Sequence, residues 1–154
     1  MGSLEATPSF EQRLWGRFSG VLRWPQLEVL WQRVLAHPSD WYIYDLRGEP
    51  PVRPVSGEAL VTFLRQVDKQ LRREHAYDYC GIVYADDVHK PSLIKIYDPN
   101  HLGAVCGLSG SRVLPRWVMS RMQPTALSEH RAGEKGPPDA STVKWWQRLF
   151  RPPG

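Results

Sequence analysis

Apolar positions recur at helical spacing in three places along the chain. Phe10, Leu14 and Phe18 stand four apart behind Ser9 and Gln12, a capping-box pair with Pro8 just ahead, so a short helix is expected there until Gly20 stops it. Leu27, Leu30, Trp31, Val34 and Leu35 form an i, i+3, i+4, i+7, i+8 stripe. Pro25 suits the first turn of that helix, and His37-Pro38 ends it. Behind the N-cap Ser56, the longest periodic run puts Leu60, Leu64, Val67 and Leu71 on one face, with Arg65, Gln66, Asp68, Lys69 and Arg72 on the other. Arg72 and Arg73 close this helix with the charge that suits its C-terminal dipole.

Strand signals separate the helices. Trp41 to Leu46, W-Y-I-Y-D-L, is aromatic and β-branched and reads as a strand. Arg47 to Pro54 holds three prolines, which fix φ and remove donors, so it is irregular. Tyr79 to Ala85 and Leu93 to Asp98 predict a hairpin joined by D-D-V-H-K-P-S. Pro115 opens a predicted short helical turn running to Met122, which Pro124 ends.

From Thr125 periodicity is lost, and G-E-K-G-P-P-D-A-S-T has linker composition. The chain then closes on V-K-W-W-Q-R-L-F-R-P-P-G. The expected organisation is therefore a compact domain over 1–124, a flexible linker over 125–142 and an aromatic, basic C-terminal segment over 143–154. Helices and strands do not alternate often enough for a doubly wound sheet. The expected fold class is α+β, a small, mainly antiparallel sheet with helices packed on one face.

Composition narrows the partner more than the fold. Seven tryptophans in 154 residues favour a groove or interface in addition to a core. The formal charge of +4 comes from 20 basic residues scattered among 16 acidic ones, without the concentrated basic face of a nucleic-acid binder. The N-terminus lacks the basic start and apolar run of a secretory signal, and no apolar stretch reaches membrane-spanning length. Two cysteines, Cys80 and Cys106, do not make a disulfide framework, so a cytoplasmic location is expected. No Walker loop, dinucleotide fingerprint or zinc-ligand spacing occurs, and no cofactor is expected.

Three sets of residues carry candidate chemistry. Cys106 to Arg112, C-G-L-S-G-S-R, spaces a cysteine and an arginine so that backbone N–H groups and a guanidinium would cradle an oxyanion beside a thiolate. This stretch resembles the phosphate-binding loop of low-molecular-weight phosphatases, and a cysteine phosphatase or arsenate-reductase-like enzyme is what the resemblance implies, with Asp98 as a candidate general acid. Asp86, Asp87, His89, Asp98 and His101 are candidate ligands for a divalent metal, although Asp-Asp and Asp-Pro-Asn are also turn formers. In the C-terminal segment, Trp145, Trp146, Leu149 and Phe150 would gather along a short amphipathic helix that needs a surface to fold against.

The reading these patterns favour is a non-enzymatic accessory or adaptor protein that binds another protein. Its expected contacts are Trp145, Trp146, Leu149 and Phe150, with Arg116 and Trp117 on the domain. The tail is also suited to weak contact with a membrane surface. The competing readings are the Cys106–Arg112 enzyme and a small-ligand or metal-binding domain.

Overall fold

The computed structural model of the chain describes residues 7–75, 77–99 and 114–127. Helix α1 spans Phe10–Leu14 and starts as its capping box requires. The Gln12 N–H donates to Ser9 Oγ at 3.1 Å, and the Ser9 N–H donates to Gln12 Oε1 at 2.8 Å. The helix stops at Leu14, however, and the residues expected to continue it form strand β1, Ser19–Arg23. The Gly16 N–H turns back to the Arg13 carbonyl. Gly20 then lies so close to the Tyr84 ring that a Cβ would meet it at 3.1 Å. Close backbone approach, rather than a helix end, is what the glycine serves.

Chain reversal follows at once, because helix α2 (Trp24–Ala36) begins where β1 ends. Leu27, Leu30, Trp31 and Val34 are its buried stripe. Its C-terminal side is held by Arg121, whose guanidinium donates to the His37 and Ser39 carbonyls at 2.7 and 2.9 Å and lies 4.5 Å above the Trp41 ring. Strand β2 is Tyr42–Asp45. Helix α3 runs Gly57–Glu74, with Ser56 Oγ accepting from the Ala59 N–H at 3.1 Å. Strands β3 (Tyr79–Ala85) and β4 (Leu93–Ile96) make the expected hairpin.

The last element overturns an expectation. Trp117–Ser120 is strand β5, where a helical turn was expected from Pro115 to Met122. It fills the slot between β4 and β2, pairing with both, and all four of its residues are buried. A strand covered on both faces loses the polar–apolar alternation that marks a half-exposed one, so W-V-M-S carried no strand period.

Among the described residues the five strands form one antiparallel sheet in the order β1-β3-β4-β5-β2. The expected α+β architecture is the one observed. Alternate residues of the central strands feed two apolar layers. Ile43, Ile94, Ile96, Trp117 and Met119 face α2 and α3 in the main core, with Trp41, Phe63, Leu60 and Leu71. Tyr44, Leu93 and Val118 face a smaller layer with Phe10 and Leu14 of α1. Leu127, in the stretch expected to begin the linker, is buried in that smaller layer. Both long helices thus share one face, and α1 covers part of the other. No helix among the described residues is long and apolar enough to cross a membrane.

Candidate functional site

A groove of about 330 Å³ opens where β1, α2 and the β3–β4 loop meet. Ser19, Gly20 and Val21 supply its strand wall, Gln26, Val29, Leu30 and Arg33 its helix wall, and Val88 with His89 its end. Val21 and Leu30 are buried and form an apolar floor, whereas Val29 is 40% exposed at the lip. This volume lies at the small end for ligand sites and suits one or two side chains.

Each wall is fixed by local chemistry. The Arg23 N–H donates to Gln26 Oε1 at 3.0 Å, which sets the angle between strand and helix. Arg33 Nη1 donates to the Val88 carbonyl at 2.6 Å and ties the loop to α2. Within the loop, Asp87 Oδ1 accepts the His89 and Lys90 N–H groups at 2.8 and 3.2 Å. Those two N–H groups hold the Asp87 carboxyl below the ordinary aspartate range. Asp86 Oδ1 accepts from the Ser92 and Leu93 N–H groups, and its Oδ2 accepts from the Ser92 hydroxyl and, at 3.5 Å, from Arg13.

The groove borders an open sheet edge. Among the described residues β1 pairs with β3 alone, which leaves its outer side open, and Ser19, Gly20, Leu22 and Arg23 are exposed. Leu22, at 61% exposure, is a large apolar residue on that strand.

The residues singled out from sequence fall elsewhere, and the structure separates them. Asp86 and Asp87 are turn formers, with their carboxylates engaged by their own loop, and His89 lines the groove. Among the described residues no group of three His, Cys, Asp or Glu side chains is arranged to hold a metal ion. Asp98 lies 3.9 Å from Arg47. Cys106, Arg112 and His101 are outside the described residues, as are Trp145, Trp146, Leu149 and Phe150.

Arg116 and Trp117 are described, and they correct the expectation of a surface contact. They are 6% and 1% exposed. Arg116 Nη2 donates to Asp45 at 3.3 Å, and its guanidinium lies 4.9 Å over the Trp117 ring, which in turn meets Phe63 edge-on. An exposed arginine next to a tryptophan would suit a binding patch, but here β5 is an interior strand and draws both inward. Burial pulls the Arg116 guanidinium below its ordinary value, while Asp45 works against that shift.

Two buried reactive groups were not singled out as sites from sequence. Burial raises the Cys80 thiol above its ordinary value, opposite to what an activated nucleophile requires. Lys95, on central β4, is 8% exposed, and burial pushes its ammonium down to about 8. Its Nζ donates to the Leu14 carbonyl at 2.8 Å and sits 3.9 Å over the Phe18 ring and 5.3 Å over the Trp15 ring. This lysine fastens the end of α1 to the sheet. Its signal in the sequence was a single cation in L-I-K-I, between three buried apolar residues.

The groove itself left a fainter signal, since S-G-V-L-R has only one buried position. Comparison of the chain with protein-family models, with curated proteins and with solved structures finds no match.

Proposed function

We propose that this protein is a protein-binding accessory module that captures an extended segment of its partner along β1. The observation that carries the reading is the open β1 edge lying beside an apolar groove whose walls are fixed by side-chain hydrogen bonds. In strand addition, main-chain hydrogen bonds to an exposed edge supply affinity, and pockets for alternate side chains supply selectivity. Both components are present within residues 19–33 and 88–89. The exposed Leu22 and Val29 add apolar surface on either side of the strand. The aromatic C-terminal residues Trp145, Trp146, Leu149 and Phe150 remain the proposal for a second contact of the same adaptor.

Deuterium exchange on the full chain, with and without partner proteins captured from its native host, tests the reading. Binding is expected to slow exchange at Ser19–Arg23 and to be lost in Val29→Glu, which fills the groove lip with a charged side chain. Partners that bind Val29→Glu as well as wild type, with β1 exchange unchanged, would refute it.

A further inference from the structure

We infer that the segment captured at β1 is acidic: an extended peptide with one aliphatic anchor and carboxylates on both sides of it. This rests on the strand-addition reading above and concerns the chemistry of the partner.

The argument is one of charge. Arg17 precedes β1 and Arg23 ends it, three residues to either side of Gly20 at the groove. Arg33 stands on the helix wall, and Lys90 follows His89 in the loop. Among the described residues no carboxylate forms an ion pair with any of these four cations. The acids close by are committed or too few. Glu28 pairs with Arg72 at 3.1 Å, Asp86 with Arg13, and Asp87 accepts from its own loop while drawing electrostatically on Arg33. Asp78, beside Tyr79 at the far end of β3, is exposed. Among the described residues, even counting Asp78 and Asp87 against Arg17, Arg23, Arg33 and Lys90, the edge keeps a net positive charge. Complementary charge around an apolar anchor selects partners and speeds encounter.

The same charges disfavour two other occupants. A second copy pairing antiparallel across β1 would bring Arg17 and Arg23 of the two chains towards each other, and like charges facing across a ladder destabilise it. The chain's own C-terminal stretch, residues 143–151, carries Lys144, Arg148 and Arg151 and no acid. An acidic partner strand alone complements both the apolar floor and the cations. At roughly 3.3 Å per residue, a carboxylate three positions from the anchor reaches either end of the strand.

The test uses the full chain labelled with nitrogen-15, titrated with blocked heptapeptides and read at the backbone amides. The acidic probe is Glu-Glu-Thr-Val-Thr-Glu-Glu, with matched probes carrying Gln or Lys at the four acidic positions. The acidic peptide is expected to bind about tenfold tighter than the Gln peptide, from two or three exposed charge pairs. Shifts should centre on residues 19–23 and 88–89, and the margin should shrink as salt is raised.

The double variant Arg17→Glu/Arg23→Glu should reverse the ranking in favour of the Lys peptide. Both sites are exposed, and the amide spectrum itself reports whether each variant is folded. Equal binding of the acidic and Gln peptides at β1 would overturn the acidic partner while leaving strand addition standing. Absence of β1 shifts with every peptide would overturn both. A peptide copied from residues 143–151 that outcompetes the acidic probe, or concentration-dependent pairing of the chain through β1 without peptide, would assign the edge to the tail or to a second copy and overturn the inference.

Discussion

The sheet has two edges, and they are built in opposite ways. β2, at one end, has three of its four residues buried. Its surroundings are tied to it: the Val55 N–H donates to the Trp41 carbonyl, and the Leu46 N–H donates to the Arg116 carbonyl. The proline-rich loop over 47–54 lies between those two attachments. β1, at the other end, has one buried residue of five and a groove beside it. An uncovered edge invites pairing with other chains, and proteins usually blunt it with charge, shortness or a covering loop. β2 has a tethered flank. β1 has arginines at its ends and an apolar recess, the combination on which the proposed strand capture rests.

The largest effect is expected where the β2 side is anchored. Asp45→Ala removes the carboxylate 3.3 Å from a guanidinium that is 4% exposed, leaving a buried cation short of its partner. Breaking such a pair costs about 3–5 kcal/mol, which urea denaturation would detect as a large fall in unfolding free energy. A loss below ~1 kcal/mol would mean that the β2 side is not held by this pair.

On the open side, Asp86→Ala is expected to cost about 2 kcal/mol, because several donors in the β3–β4 loop lose one acceptor. It should also loosen the His89 end of the groove, so peptide affinity should fall along with stability. Unchanged affinity at reduced stability would separate the loop from the binding edge.

A third effect lies between the two edges, at Lys95. Its folded-state ammonium titrates near 8 against an ordinary value of 10.5, so from about pH 8 upward the unfolded chain holds more protons than the folded one. Stability from this group therefore rises with pH above 8 and is lost as pH falls through 8. The raised Cys80, Tyr44 and Tyr97 values act in the reverse direction at higher pH, which confines the useful window to pH 7–9. Across it, wild type should gain about 1 kcal/mol relative to Lys95→Met, which carries no charge to bury. Parallel pH profiles for the two proteins would show that Lys95 is not desolvated as described.

The smallest effect on stability is expected for Val29→Glu, within about 0.5 kcal/mol because the site is exposed, even though it should abolish peptide binding. That pairing of outcomes would mark the β1 groove as a binding feature. A large loss of stability with intact binding would mark Val29 as a core residue.

Much of the scaffold is readable in the residues themselves. The stripes of α2 and α3, the Ser9 and Ser56 caps and the β3–β4 hairpin follow from spacing and turn chemistry, and they appear where those rules place them. Two strands escaped for opposite reasons. β1 is an edge strand with a single inward residue, too little for a period to register. β5 is covered on both faces, so its four residues, Ser120 included, are all buried and show no inward–outward period. Without both, the sheet order cannot be written, and with it goes the groove, which needs β1 beside α2 and the hairpin loop.

Local sequence thus determines the elements whose signals are local: amphipathic helices, their caps, and turns in which aspartates bind the backbone next to them. Tertiary structure decides what depends on distant neighbours. It makes Arg116 and Trp117 interior by inserting β5 between β4 and β2, and it seats Lys95 under Trp15 and Phe18. Among the described residues it also leaves β1 without a second partner strand in the sheet. Burial and edge exposure are properties of the assembled sheet, and a short segment cannot encode which of its sides another strand will cover.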